Sequence, residues 1–273
     1  MTEGVPIPPW WGVGLSVLLV AVTAVVVARQ RLGLGRDLVV AVVRAAVQLL
    51  AVGAGLKLLF EHTGLGGSLV WVSGMVLLAG RTAGSRARGL PRASRTATLA
   101  LAVGIASTLG LLLGAQILEP EPRVVVPIGG MVVAAAMQGV SIVLNRVRDE
   151  VSTARPLVEA RLALGLPGEA AFAPHERAAL RSALGPAIDQ TKVVGLITLP
   201  GAMTGLIIAG VSPLAAIRYQ IIVMYMWLGA AGISGVVAAR LARLELFDDA
   251  HRLRVLDPVL PRRALPWRRR IAA

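Results

Sequence analysis

Apolar and polar residues alternate in long blocks along this chain, with a repeat far longer than a strand or an amphipathic helix requires. Apolar runs lie at about 11–28, 38–60, 65–80, 97–118, 124–144, 190–210 and 214–239. A transmembrane helix needs roughly 20 mostly apolar residues. Five of the runs meet that length, and the first and third, slightly short, join them. The expected fold is an all-α integral membrane protein of about seven spans. A polytopic membrane domain is expected over 1–247, interrupted by a segment at 145–189, and a basic, Pro-containing tail over 248–273. That tail holds Pro258, Pro261 and Pro266 among arginines and is expected to be poorly ordered.

The segments between the runs carry their cations on alternate sides. Lys and Arg in them number 23 on one side and one on the other, Arg123. The positive-inside rule then places the N-terminus outside and the C-terminus in the cytoplasm of a plasma-membrane protein. Trp10, Trp11 and Trp71 fall near outer ends, where indole rings anchor to the interface. Glu3 is the only charge before the first run, so that run reads as a retained helix rather than a cleaved leader.

Composition agrees with this picture. Hydrophobic residues make up 56% of the 273, and the mean hydropathy is +0.73. Nearly all of the net charge of +13 sits in short loops facing one side, which points to topology and anionic lipid rather than nucleic acid. The chain has no cysteine, so disulfides and thiolate chemistry are excluded.

The interior is nearly free of ionisable groups. None of the 15 acidic residues falls in the middle of a run, although ion-coupled carriers generally place a carboxylate there. His62, His175 and His251 read as scattered over loops, so no catalytic residue and no metal set is assigned. Arg44 and Gln48 are the exceptions, four apart on one face of the second run. Either Arg44 extends to the interface or the pair lines a water-filled cavity. Pro127, Gly130 and Met131 in the fifth run, and Pro200, Gly201, Met203 and Gly205 in the sixth, make a second cluster. Proline frees a backbone carbonyl, tolerated in a membrane only against protein or water. The pairs Gly201/Gly205 and Gly110/Gly114 suit close helix packing or, at a pathway, a gate or dimer seam. Met131, Met137, Met203, Met224 and Met226 offer either soft ligands or plastic packing.

The 145–189 segment predicts helix over 151–164, a stop at Gly165, and a turn at Pro167-Gly168. A second helix is expected over 169–184, starting afresh at Pro174, with Gly185-Pro186 marking entry to the sixth span. No Gly-Lys-Ser/Thr loop is present, so an ATP-driven device would need a separate ATPase subunit.

Glu159-Ala160-Arg161-Leu162-Ala163-Leu164-Gly165 resembles the coupling loop of ABC-transporter permeases, in which a short helix enters a groove on the ATPase. Together with Asp189-Gln190-Thr191-Lys192-Val193-Val194-Gly195-Leu196, Leu199-Pro200-Gly201, Arg44-Ala45-Ala46-Val47-Gln48-Leu49, Pro127-Ile128-Gly129-Gly130-Met131 and Ile217-Arg218-Tyr219-Gln220-Ile221, it resembles the FetB family of iron-export permeases over roughly 15–245. The resemblance implies a homodimer paired with two FetA-type ATPases that hold ATP and magnesium, this chain binding no cofactor itself. It implies metal export, with a nucleotide sugar as the alternative cargo. Glu159, Ala160, Leu162, Leu164 and Gly165 would couple to the ATPase. Arg44, Gln48, Pro127, Gly130, Met131, Pro200, Gly201, Met203, Gly205 and Gln220 would line or gate the pathway. Where some relatives carry asparagine after Gly130-Met131, this chain has Ala134, Ala135 and Ala136. A channel or carrier without an ATPase, and a non-transporting scaffold, are the other classes the sequence allows.

Overall fold

The computed structural model describes residues 9–30, 33–248, 250 and 252–256. The described chain is almost entirely helical: α1 (Trp10–Arg29), α2 (Gly35–His62), α3 (Leu65–Arg86), α4 (Ala93–Gly114), α5 (Pro122–Thr153), α6 (Arg155–Ala163), α7 (Gly168–Val193), α8 (Gly201–Ile208) and α9 (Pro213–Leu246). Helices α1 to α5 and α9 are long and apolar enough to cross a bilayer, so the expected all-α membrane class holds. The tail beyond residue 256 lies outside the described residues, as does His251.

The core is the packing of α3, α4, α5 and α9, and small residues set the distances. A Cβ at Gly80 or Gly84 of α3 would collide with Thr98 and Ser94 of α4, and one at Gly104 of α4 with Ser234 of α9. Such crossings let backbones approach closely where lipid supplies no hydrophobic drive. Helices α1 and α2 contribute no buried residue; α2 touches the core through Gly55 against Trp71.

Two contacts fix the directions. Gly139 of α5 faces Ala231 of α9, and Val143 faces Gly235, so these two helices run parallel. The chain between Thr153 and Pro213 must therefore travel back the length of the bundle. Helix α7 starts that return at the arginine-rich end, with Phe247 packed on Gly168, and runs antiparallel to α9 with Leu180 near Gly235 and Leu184 near Gly232.

This return path corrects three expectations. First, no single helix covers 190–210: α7 ends at Val193, residues 194–200 are non-helical, and α8 is only eight residues. Gly195 at φ +83° follows the end of α7, and its N–H donates forward to the carbonyl of Thr198 at 2.9 Å. Pro200 cannot donate and is itself extended at ψ 143° as the N-cap, so helix resumes only at Gly201. Second, Pro174 and Gly185-Pro186 interrupt nothing, because α7 runs through both. Ala171, Phe172, Glu176, Ala179, Ala183 and Ala187 are buried turn after turn, and that packing holds α7 continuous despite the lost donors. Third, the helix expected over 151–164 is divided: α5 extends to Thr153 and α6 begins at Arg155, where Pro156 suits a first turn.

Candidate functional site

Helix α6 stands at the arginine-rich end as a short arm. Its C-terminus closes with two backbone bonds, Gly165 N–H to the Leu162 carbonyl at 2.9 Å and Leu166 N–H to the Arg161 carbonyl at 3.2 Å. Gly165 adopts φ +86°, which makes this a Schellman cap that glycine occupies with least strain. Arg155 Nε donates to Glu159 Oε1 at 2.7 Å and its Nη2 to the Leu253 carbonyl at 3.3 Å. Arg161 Nη1 donates to the Ala171 carbonyl at 3.1 Å. Val158 is buried and Leu162 packs on the core, whereas Leu157, Ala160 and Leu164 face outward, Leu164 being 80% exposed. A helix fixed on one side thus offers an apolar stripe on the other.

The segment after α9 folds over this arm. Phe247 and Leu253 pair as an antiparallel bridge, and Arg254 N–H donates to the Leu246 carbonyl at 2.8 Å. Asp248 accepts the Arg252 N–H and guanidinium, both at 2.8 Å, and the Arg252 N–H above all holds its carboxyl below the ordinary aspartate value. Between this hook and α6 lies a cleft of about 750 Å³ lined by Arg155, Glu159, Gly165 and Arg252.

Ion pairs clamp the base of α7. Arg243 of α9, 14% exposed, reaches Glu176 at 2.8 Å and Glu169 at 2.9 Å. His175 Nδ1 lies 2.7 Å from Glu150 of α5 and its ring rests against Phe172. His175 therefore sits inside a packed helix and His62 in the last turn of α2, not in loops.

At its other end α7 stops partway through the bundle. Pro213 to Gly232 spans about 28 Å, and Leu184 to Val193 about 13 Å, at 1.5 Å per residue. The break at 194–200 then falls about 15 Å below the far end of α9, half the ~30 Å hydrocarbon thickness. Here the negative end of α7 and the positive N-terminus of α8 meet an unwound backbone, an arrangement that suits ion or polar-group binding in transporters. Lys192 pairs with Asp189 at 3.0 Å in the last turn of α7, so an acidic group lies closer to mid-depth than the sequence suggests. Gln220 is 6% exposed on α9, within about one to two turns of this depth, and its Oε1 accepts no hydrogen bond among the described residues.

The other sequence-assigned residues divide. Pro200 caps α8, and Gly201, Met203 and Gly205 lie on it; Thr204 Oγ1 donates to the Pro200 carbonyl at 3.2 Å. Met131 and Gly130 pack along α5, with Met75 beside Gly130, while Pro127 is exposed. Arg44 and Gln48 are exposed on α2 and make no hydrogen bond among the described residues. Gly110, Gly114, Gly201 and Gly205 have open space at the Cβ position, with no side chain or backbone of the described residues within 4 Å of it. Met226 is buried, and Met131 and Met137 pack on the core. Among the described residues no three His, Asp or Glu side chains gather where they could hold a metal ion. The sequence reading missed the Arg243 clamp and the close contacts of Gly80 and Gly84, though the small-xxx-small spacing of the latter was legible.

Comparison with known proteins places this chain in a family. The chain is 39% identical over 254 residues to "UPF0014 membrane protein STAR2" of Oryza sativa subsp. japonica, covering 90% of this chain and 89% of that protein. It is 37% identical to "Protein ALUMINUM SENSITIVE 3" of Arabidopsis thaliana, over 87% and 88% of the two chains. To "Probable iron export permease protein FetB" of Escherichia coli (strain K12) it is 34% identical, over 88% and 92%. No solved structure matches. The model of the "Uncharacterised protein family (UPF0014)" matches residues 10–247, so the chain belongs to the UPF0014 family of multi-pass membrane proteins, as its resemblance to FetB anticipates.

Proposed function

We propose that this chain is the membrane-spanning subunit of an ABC-type exporter in the plasma membrane, acting as a homodimer with a separate ATPase. The observation that carries the reading is one continuous helix, α7, linking the capped arm α6 to the break at 194–200. In this account the exposed stripe of Leu157, Ala160 and Leu164 docks in a groove of the ATPase, and Glu159 and Gly165 set the arm's charge and exit angle. ATP-driven closure displaces α6, and the rigid α7 carries that displacement to the break. Residues 194–200 and α8 then reposition against α9, near Gln220. The proposed cargo is iron or another metal ion, a choice supported by the name of the Escherichia coli relative. Carbonyls of the unwound segment and the Gln220 amide oxygen are the available ligands, since no carboxylate cluster is gathered among the described residues.

Co-expression with an ABC ATPase tests this directly. A stable complex whose ATP hydrolysis rises with Fe²⁺ is the expected result. Metal flux by the isolated chain in ATP-free vesicles would replace the proposal with a channel or carrier.

A further inference from the structure

An apolar groove runs between α3 and α4 on the outer surface of the bundle, with a volume of about 590 Å³. Leu69, Ser73 and Leu77 form one wall; Ala102, Ala106 and Leu113 form the other. Thr98 to Leu113 extends about 22 Å along α4. One leaflet's acyl region is about 15 Å deep, half the hydrocarbon thickness. The groove is therefore long enough for a single lipid tail.

Its mouth is cationic. Gly80 meets Thr98 and Gly84 meets Ser94, so Arg81 and Arg95 lie at the same end of the helix pair. Helical spacing carries Ser73 and Leu77 on to Arg81 in steps of four. Arg95 falls on the stripe of Ala102 and Ala106. Both arginines are exposed and neither makes an ion pair among the described residues, whereas neighbouring Arg92 is engaged by Glu245 at 3.4 Å. Arg86 points off this stripe, and Arg88 donates to the Ser85 carbonyl. A tail-length apolar groove that ends between two unpaired guanidinium groups fits one class of molecule.

We propose that this groove binds one anionic phospholipid, its acyl tail between α3 and α4 and its phosphate between Arg81 and Arg95. The tail alone gains little by leaving the bilayer, because lipid is as apolar as the groove. Selectivity therefore comes from the two charges, each contributing roughly fivefold at an anionic membrane surface.

Native mass spectrometry of the full chain in mild detergent, titrated with phosphatidylglycerol or phosphatidylcholine of matched tails, tests the proposal. The unmodified chain is expected to retain one phosphatidylglycerol in preference to phosphatidylcholine. Arg81→Gln with Arg95→Gln lowers that affinity roughly 25-fold, and Arg81→Lys with Arg95→Lys keeps it within a few-fold. Arg86→Gln with Arg88→Gln leaves it unchanged. Ala102→Leu with Ala106→Leu fills the groove and removes binding while both arginines remain. Millimolar inorganic phosphate does not displace the lipid. Equal retention of the two lipids by the unmodified chain would overturn the proposal, and so would equal losses from the two arginine pairs. Lipid retained on a filled groove, or displaced by phosphate, would contradict it as well. A dimer that dissociates when the groove is filled, with lipid binding unaltered, would assign the groove to a second copy instead.

Discussion

Replacing Gly165 with valine isolates the proposed coupling arm from the rest of the molecule. The Cβ position at Gly165 is open, so the substitution creates no collision, and its effect must come from backbone conformation. A φ of +86° strains an L-residue by about 1–2 kcal/mol, and a β-branched side chain sits at the upper end. Leaving that conformation opens the Gly165 to Leu162 and Leu166 to Arg161 hydrogen bonds. Both lie at an exposed terminus where water substitutes, so their loss costs only about 0.5–1 kcal/mol in total and does little to hold valine in the cap. The strain alone, about 2 kcal/mol, lowers the ratio of the capped, docking-competent arm to the open arm roughly thirtyfold. Titration of an ABC ATPase onto the reconstituted chain, read by surface binding and by ATP hydrolysis, should show a loss of that order. Asparagine tolerates the left-handed region, so Gly165→Asn should lose only a few-fold. Wild-type affinity and hydrolysis in Gly165→Val would refute the assignment of α6 as the coupling arm. Equal losses in the valine and asparagine variants would move the explanation from the cap to side-chain exclusion at the ATPase.

The packing and electrostatics give further expectations. Arg243→Ala leaves the nearly buried Glu176 without its partner, and should destabilise the protein by about 3–5 kcal/mol in reversible unfolding from detergent. Arg92→Ala breaks an exposed pair and should change the same measurement by less than about 1 kcal/mol. Gly84→Ala forces the α3 and α4 backbones apart and should cost about 1–3 kcal/mol, whereas Gly114→Ala, with open space, should be neutral or slightly stabilising. The Asp248 carboxyl is held below its ordinary value by Arg252, so the hook is favoured at all pH above the ordinary aspartate range. It should loosen as pH falls through the lowered value, visible as loss of hydrogen-exchange protection at the Arg252 amide.

Much of the fold was legible because lipid imposes long apolar runs. The ends of those runs were less so. Helices α5 and α9 continue past the expected ends at 144 and 239 to Thr153 and Leu246, through Arg146, Arg148, Arg240 and Arg243. A hydropathy boundary marks where lipid ends, not where hydrogen-bonded helix ends. The break at 194–200 was hidden because Val193, Val194, Leu196, Ile197 and Leu199 read as span. Pro174 and Pro186 gave the opposite error: a packed alanine stripe keeps α7 helical across both. The arm α6, proposed to couple to an ATPase, was visible through its terminal glycine and the resemblance to ABC permeases. Its support was not, because Arg243 and Glu176 lie 67 residues apart in sequence. Gln220 was singled out by motif, and its burial without a partner for Oε1 gives that choice a physical basis.

The central claim is that α7 transmits motion from α6 to the break. The chain has no cysteine, so Leu196→Cys places a single thiol in the break without background. Its reactivity toward a membrane-impermeant thiol reagent can be followed in the reconstituted complex with and without ATP. The account predicts that ATP changes the labelling rate at least severalfold, and that Gly165→Val abolishes the change. Labelling that is independent of ATP while metal is transported, or that responds fully in Gly165→Val, would contradict it.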